Sequence, residues 1–333
     1  MKRVGYLYEK VVAYENIIGA MADYDARRPV RRRRGIDYRL AWEIKRQMET
    51  DFAGAVGKPR IKVIREYGKE RRLQIPNYRS CVAQLALWRV CSPYVERRIH
   101  DQSFSSRVGF GGFKAASKCE RFVHLNADGK ARYFLYFDLR KFYQHIRKDK
   151  VMERLETVFK DKRVLAMFRA VVNSADDGLP IGYPFSHALA NLYLVPLYAL
   201  LRSLRNVSKV YVYMDNWTAF SHYKKPLHRA LEAASVWLRG MGCEVKGDWQ
   251  IAPIKSRGAK VCGFVISVGQ TRLYRGNWRR TMRDFRRAER GDDRARISMA
   301  SRRGWLRHIN REYSRCFRTE KGTYLWQPSK WPD

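Results

Sequence analysis

The feature that most constrains the fold of this chain is a pair of short apolar runs, each delivering an aspartate at its end. Residues 210–214 are rich in β-branched and aromatic side chains and are bounded by turn formers, Ser208-Lys209 before and Asp215-Asn216 after. They read as a strand with Asp215 at its tip. Tyr133-Phe134-Leu135-Tyr136-Phe137 reads as a second strand, ending on Asp138. Hard cations want carboxylate oxygens held on rigid elements, so two strands with one acid each are how a sheet builds a site for divalent metal. Either aspartate alone has another reading, a turn residue whose side chain bonds its own backbone. The patterns flanking the pair favour the metal reading.

With 333 residues and a hydrophobic fraction of 45%, the chain can bury a core and is long enough for one large or two to three modest domains. Lys and Arg outnumber Asp and Glu by 68 to 32, a net charge of +36. A folded body so strongly of one sign points to a polyanionic partner, because binding phosphates relieves the self-repulsion and releases counterions. Nucleic acid is the first candidate and an anionic membrane surface the second. Against the membrane, the longest apolar stretch, residues 188–201, is too short to span a bilayer and is interrupted by Asn191 and Pro196. The start of the chain carries no apolar run of a secretion signal, so a cytoplasmic protein without a membrane partner is expected. Six cysteines show neither a CxxC pair nor histidine at ligand spacing, which predicts reduced, buried thiols rather than zinc or disulfides.

Along the chain, apolar spacing predicts a helix over residues 1–25, then an exposed loop with six arginines in the eight residues 27–34, a phosphate-contacting candidate. A helix over 37–50, a hairpin over 61–75 and a helix over 80–91 follow. The glycine-rich stretch 103–117, with Arg107 and Lys114, is of a kind that approaches a phosphate backbone closely. Helices are expected over 148–159, 164–173, 187–204, with Ser186 as cap, and 227–241, with Gly242 at its end. Strands are expected at 244–246, 260–266 and 272–274, then a basic helical region. Helices and short strands without a regular βαβ repeat predict an α+β protein.

These residues resemble the reverse transcriptases, and within them the bacterial group of group II intron and diversity-generating retroelement enzymes. Phe137-Asp138-Leu139-Arg140-Lys141-Phe142-Tyr143 is similar to the first palm motif of that family. Gly178-Leu179-Pro180-Ile181-Gly182-Tyr183-Pro184-Phe185-Ser186, with Ala190-Asn191-Leu192-Tyr193-Leu194, is similar to its second, and Tyr213-Met214-Asp215-Asn216 stands where the family has YxDD. Val261-Cys262-Gly263-Phe264 resembles the primer grip and Trp305-Leu306-Arg307-His308 a thumb sequence. The likeness runs in order from about residue 8 to 310.

The resemblance implies a right-hand polymerase with fingers, a palm built on an antiparallel sheet and a short helical thumb. Its boundaries would be 1–132 for the N-terminal extension and fingers, 133–147 for the palm's first strand, 148–177 for fingers and palm helices, 178–268 for the palm and 269–333 for the thumb. It implies two Mg²⁺ ions, replaceable by Mn²⁺, held by Asp138, the Leu139 carbonyl, Asp215 and Asn216, with Asp138 and Asp215 catalytic. Tyr143 falls on the position that excludes a ribose 2′-hydroxyl. Lys69, Arg71 and Arg79 are candidates to hold the incoming triphosphate, or else surface charges of a basic protein. Ile181, Gly182 and Ser186 would line the nucleotide pocket, and Cys262, Gly263 and Phe264 would form the primer grip. The implied partners are an RNA template, a DNA primer or cDNA, deoxynucleotides and a small basic accessory protein.

Two departures stand out. Ile181 takes a position where most retroviral-type and intron enzymes have glutamine; an apolar residue there resembles the diversity-generating group, as do Trp249-Gln250-Ile251-Ala252-Pro253 and Tyr14-Glu15-Asn16, whereas His187 replaces that group's usual glutamine. Asn216 replaces the second aspartate and removes one formal negative charge, a pairing that resembles some negative-strand RNA virus polymerases. The alternative to an active polymerase is therefore a polymerase-fold RNA-binding or scaffolding protein with reduced or lost catalysis.

Overall fold

The computed structural model describes residues 2–66 and 69–309. It divides into two compact units, each assembled from separate chain segments: Met1–Arg107, Leu139–Leu200 and Ala233–Lys246 in the first, and Val108–Asp138, Leu201–Glu232 and Gly247–Asp333 in the second.

The first unit is largely helical. The helix expected over 1–25 is two, Tyr8–Val12 and Tyr14–Ala26, parted at Ala13, whose ψ of 137° leaves the helical region. Asn16 explains the break: its amide donates to the Val11 carbonyl at 2.8 Å and to that of Ala86 at 3.0 Å, satisfying backbone a continuous helix would otherwise serve. Helix Tyr38–Thr50 starts where expected, because the Asp37 carboxylate accepts from Leu40 N–H, and it turns Ala41, Ile44 and Met48 inward. Strands β1 (Arg60–Glu66) and β2 (Lys69–Ile75) pair antiparallel from Arg60↔Ile75 to Glu66↔Lys69. Tyr67, Gly68 and the side chain of Lys69 lie outside the described residues. Helix Tyr78–Glu96, longer than expected, is capped by Asn77. Its Trp88 stacks on Phe185, which meets Phe168 edge-on, and Phe168 in turn stacks on Phe159. Phe159, Phe168 and Phe185 are fully buried, each contributing about 1.5–3 kcal/mol.

Three expectations fail in this part of the chain. The helix over 187–204 is two helices, Ser186–Tyr193 and Val195–Ser203, because Pro196 has no N–H for a continuous ladder. Ser186 is not a cap but the first helical residue, following Phe185, and no side-chain cap is made. Residues 244–246 form no strand; Val245 makes a single bridge to Leu139, too little pairing for a ladder. Helix Lys224–Gly240, by contrast, closes at Gly242, with Gly242 N–H on the Arg239 carbonyl and Cys243 N–H on that of Leu238.

The second unit carries two antiparallel sheets. β3 (Tyr133–Asp138), β4 (Lys209–Tyr213), β5 (Asn216–Ser221) and β6 (Gln250–Pro253) order as β4-β5-β3-β6. β4 and β5 form a hairpin in which Tyr213 faces Asn216, leaving Met214 and Asp215 as the loop, with Met214 at φ +55°. The first of these strands lies against β5 in the register Asp138↔Asn216 and Tyr136↔Thr218. Phe137 and Trp217 face each other in this register and are both fully buried, stacked 5.8 Å apart. β7 (Ala259–Val261), β8 (Phe264–Ser267) and β9 (Gln270–Leu273) make the second sheet. The strand expected over 260–266 is thus broken at Cys262-Gly263, where the chain reverses. Helices Gly112–Asn126, Ile254–Arg257, Arg275–Glu289 and Asp293–Ile309 also belong to the unit. The last two form the expected basic helical region; its continuation over 310–333 lies outside the described residues. Helices and antiparallel sheets make a mixed α and β protein. Among the described residues no helix is long and apolar enough to cross a membrane.

Candidate functional site

In the second unit, β3 and the β4–β5 hairpin bring the predicted acids to one sheet end. Asp138 is the last residue of β3 and faces Asn216, the residue after Asp215. Tyr136 lies two positions before Asp138, hence on the same strand face. The Asn216 side chain spans the gap: its Nδ2 donates to Asp215 Oδ1 at 3.0 Å, and its Oδ1 accepts from the Tyr136 hydroxyl at 2.6 Å. Lys260 places its ammonium 4.9 Å from the Tyr136 ring and 4.6 Å from that of Tyr274, a cation between two aromatic faces. Burial, then the charges of Asp138, Asp248 and Asp215, hold the Tyr136 hydroxyl well above the usual tyrosine range. It therefore stays protonated and donating. A cavity of about 620 Å³ opens here, lined by Tyr136, Tyr213, Asn216, Asp248, Lys260 and Gly263 among others.

This donor set fits a hard divalent cation: one carboxylate ends β3 and another sits in the adjoining hairpin loop, and their charges add to the burial that raises the neighbouring Tyr136 phenol. Among the described residues no group of three or more His, Cys, Asp or Glu is placed to hold a metal. At the predicted primer grip, Gly263 has φ +85° and its carbonyl accepts from Tyr274 N–H at 2.9 Å and from Asn277 Nδ2 at 3.1 Å. A Cβ there would lie 2.5 Å from that amide nitrogen and 2.9 Å from the Trp305 ring, so only glycine fits. Phe264 packs 5.6 Å from Trp305 and 4.9 Å from His308, joining the turn to the thumb-like sequence. The Arg307 side chain lies outside the described residues.

The remaining predicted residues belong to the first unit. Tyr143, on the short helix Phe142–His145, shares a hydroxyl hydrogen bond with His187 Nδ1, and burial pushes the His187 pKa down, which favours the neutral ring. The Tyr143 carbonyl accepts from Leu179 N–H at 2.9 Å, and the Ile181 carbonyl from Gln74 N–H of β2 at 2.9 Å. Tyr143 is thereby joined to the Gly178–Ser186 motif, and Ile181 and Gly182 abut β2; Ser186 is buried. Arg79 is engaged 2.5 Å from Glu43 of helix Tyr38–Thr50. Arg71 stands on β2 opposite Ile64. Leu139, next to Asp138 in the chain, is fully buried.

Sequence reading missed Tyr136, Asp248, Lys260 and Tyr274. The alternation of a strand could have found Tyr136, two residues from Asp138; the other three are brought in by tertiary structure alone.

Residues 68–248, more than half of the chain, match the family model of reverse transcriptase (RNA-dependent DNA polymerase). No curated protein matches the chain. Among solved structures the fold is similar to apo telomerase from Candida tropicalis truncated from its C-terminal domain, at 12% identity and TM-score 0.50, covering 72% of this chain and 61% of that one. A second structure of apo telomerase from Candida tropicalis matches at 11% identity and TM-score 0.50, covering 66% and 49%. Telomerase from Candida albicans in complex with a TWJ fragment of telomeric RNA matches at 10% identity and TM-score 0.50, covering 66% and 45%. The chain thus spans less than two thirds of these telomerase chains, and the likeness is one of fold. The family match is independent of that likeness and takes in Asp138, the Gly178–Ser186 motif and Asp215, which makes this chain a member of the reverse transcriptase (RNA-dependent DNA polymerase) family.

Proposed function

We infer that the chain is an RNA-directed DNA polymerase of a bacterial or phage retroelement, of the low-fidelity, diversity-generating type. It would extend a DNA primer or cDNA on an RNA template with deoxynucleotides. The observation that carries the reading is the pairing of Asp138 with Asn216 beside the loop that holds Asp215, which supports a two-carboxylate site at one end of the sheet. Asp138 and Asp215, with the Leu139 carbonyl, would hold two divalent ions. Held there, Mg²⁺, or Mn²⁺ in its place, would supply Lewis acidity to lower the pKa of a primer 3′-hydroxyl and to offset charge at the α-phosphate. Tyr143 would exclude a ribose 2′-hydroxyl by ring volume. Ile181, apolar at the template pocket, leaves selection to base pairing and shape. The Cys262-Gly263-Phe264 turn would position the primer strand, and the excess of Lys and Arg would hold the nucleic-acid backbone.

The test is primer extension by the purified chain in Mg²⁺ and in Mn²⁺. Asp138→Ala or Asp215→Ala is expected to abolish extension while RNA affinity stays within about twofold, since binding rests on distributed cations. Parental extension rates in both mutants would refute the assignment. A second reading, an RNA-binding or scaffolding protein with reduced catalysis, is favoured by the amide at position 216, whose oxygen is engaged by Tyr136. A parent that binds RNA but extends no primer with either metal would select it.

A further inference from the structure

Asn216 stands where the family carries a second acid, and its geometry gives it a different task. An amide has its oxygen and its nitrogen on opposite sides of one carbon. With Nδ2 3.0 Å from an Asp215 carboxylate oxygen, Oδ1 must point away from that carboxylate, and it meets the Tyr136 hydroxyl at 2.6 Å. The reverse orientation would set the amide oxygen against a carboxylate oxygen, repulsive and without a donor between them. Each end of the amide therefore specifies the other. Tyr136 is itself fixed: its backbone pairs with Thr218 in the register that sets Asp138 opposite Asn216, and its ring lies against the Lys260 ammonium at 4.9 Å. Thr218 in turn donates its hydroxyl to the Lys260 carbonyl at 2.6 Å. The anchor thus runs from the second sheet, through Tyr136, to the side chain beside Asp215.

We propose that Asn216 is a positioning residue, a neutral bridge from Tyr136 to Asp215 that sets the orientation of the Asp215 carboxylate for a divalent cation rather than entering the cation's ligand shell itself. In the second aspartate's place, the amide donates to its neighbouring carboxylate instead of repelling it, so the pair is ordered before any cation arrives. The inference rests on the polymerase reading for what the cation does, but not for whether it binds.

The two roles for Asn216 predict opposite effects of removing one remote hydroxyl. Were the amide oxygen a ligand, Tyr136→Phe would release it and leave Mn²⁺ binding unchanged or tighter. As a bridge, the amide loses its anchor. Mn²⁺ affinity, measured on the full chain without nucleotide from the spin-resonance signal of the free ion, should fall about threefold to tenfold in Tyr136→Phe. It should fall about tenfold to a hundredfold in Asn216→Ala, in the range of losses when a group orienting a metal ligand is removed. The double mutant should match Asn216→Ala, because one removal already breaks the chain of contacts. Parental RNA affinity and near-ultraviolet dichroism in Tyr136→Phe, which keeps the ring on Lys260, would separate loss of orientation from loss of fold. Unchanged or tighter Mn²⁺ binding in Tyr136→Phe, multiplying effects in the double mutant, or no Mn²⁺ binding by the parent would each overturn the proposal. Should the Mn²⁺ cycle come out as expected with no primer extension by the parent, the polymerase reading fails and the bridge stands.

Discussion

Replacing Gly178 by alanine should damage nucleotide selection although the added methyl meets no nucleotide. Gly178 has φ +52°, and a Cβ built on it would lie 1.9 Å from the Tyr143 carbonyl oxygen and 2.9 Å from the carbonyl carbon and oxygen of Gln144. These are backbone atoms, with no flexible end to yield, so the two segments must part by roughly 1.5 Å to reach contact distance. The Leu179 N–H to Tyr143 carbonyl hydrogen bond, 2.9 Å long, would be lost, at about 1 kcal/mol. The left-handed backbone costs a non-glycine residue roughly another 1–2 kcal/mol. With residual strain, about 2–4 kcal/mol of destabilisation is expected. The displaced segment carries Tyr143, so its hydroxyl contact with His187 shifts too. Urea denaturation followed by circular dichroism should show the loss, and steady-state incorporation a dNTP KM raised about tenfold with weaker rejection of ribonucleotides. Gly240→Ala is the control: a Cβ there meets nothing within 4 Å, and at the end of a helix alanine should be neutral or slightly stabilising. Parental stability and parental KM in Gly178→Ala would show that this close approach does not hold Tyr143 in place.

Tyr143→Val should admit ribonucleotides, since ring volume is what rejects the 2′-hydroxyl in this reading; equal discrimination in single-nucleotide incorporation by parent and mutant would place Tyr143 in a purely structural role. Ile181→Gln should lower errors opposite template adenine more than opposite other bases, with RNA affinity unchanged, and sequencing products from one defined template decides it, identical error spectra counting against control by this side chain. His100, stacked on Tyr198, has its pKa pushed down to about 3 by burial and then by the Arg107 charge. The unfolded chain binds that proton near pH 6.5, so stability should be flat above that pH and fall as pH drops toward 3, by up to ~1.4 kcal/mol per unit. His100→Phe should flatten this acid limb in denaturation midpoints measured across pH; an unchanged slope would assign it to other groups.

The acid-tipped strands were legible because their signal is local: an apolar, β-branched run and an aspartate at its end fix both the element and the position of Asp138 and Asp215. The start of a helix at residue 37 and the cap at Gly242 were legible for the same reason, whereas the Asp37 side-chain cap itself was not read. Illegible features depended on distant partners. The break at Ala13 follows from an Asn16 amide reaching Ala86, and the failed strand at 244–246 from finding only Leu139 to pair with. Asn216 was read as a candidate ligand from its place in a motif; what it touches became visible only once β3 and β5 were in register. The triphosphate candidates illustrate the limit from the other side, since nothing near Arg79 in sequence announces that Glu43, on another helix, engages it.

The hairpin that carries Asp215 also sets what insertions and deletions the chain can tolerate. With Tyr213 facing Asn216, the loop holds two residues, and every pair behind it, out to Lys209↔Phe220, inherits its phase. Adding or deleting one residue there would slide one strand by a single step and exchange its two faces; both are buried, so Trp217 and Ala219 would trade sides with Thr218 and Phe220 in packed surroundings, and Asn216 would move off Asp138. Variation in length among related chains should therefore spare this hairpin entirely and collect in connections such as residues 204–208, which lie between helix Val195–Ser203 and β4 and belong to neither.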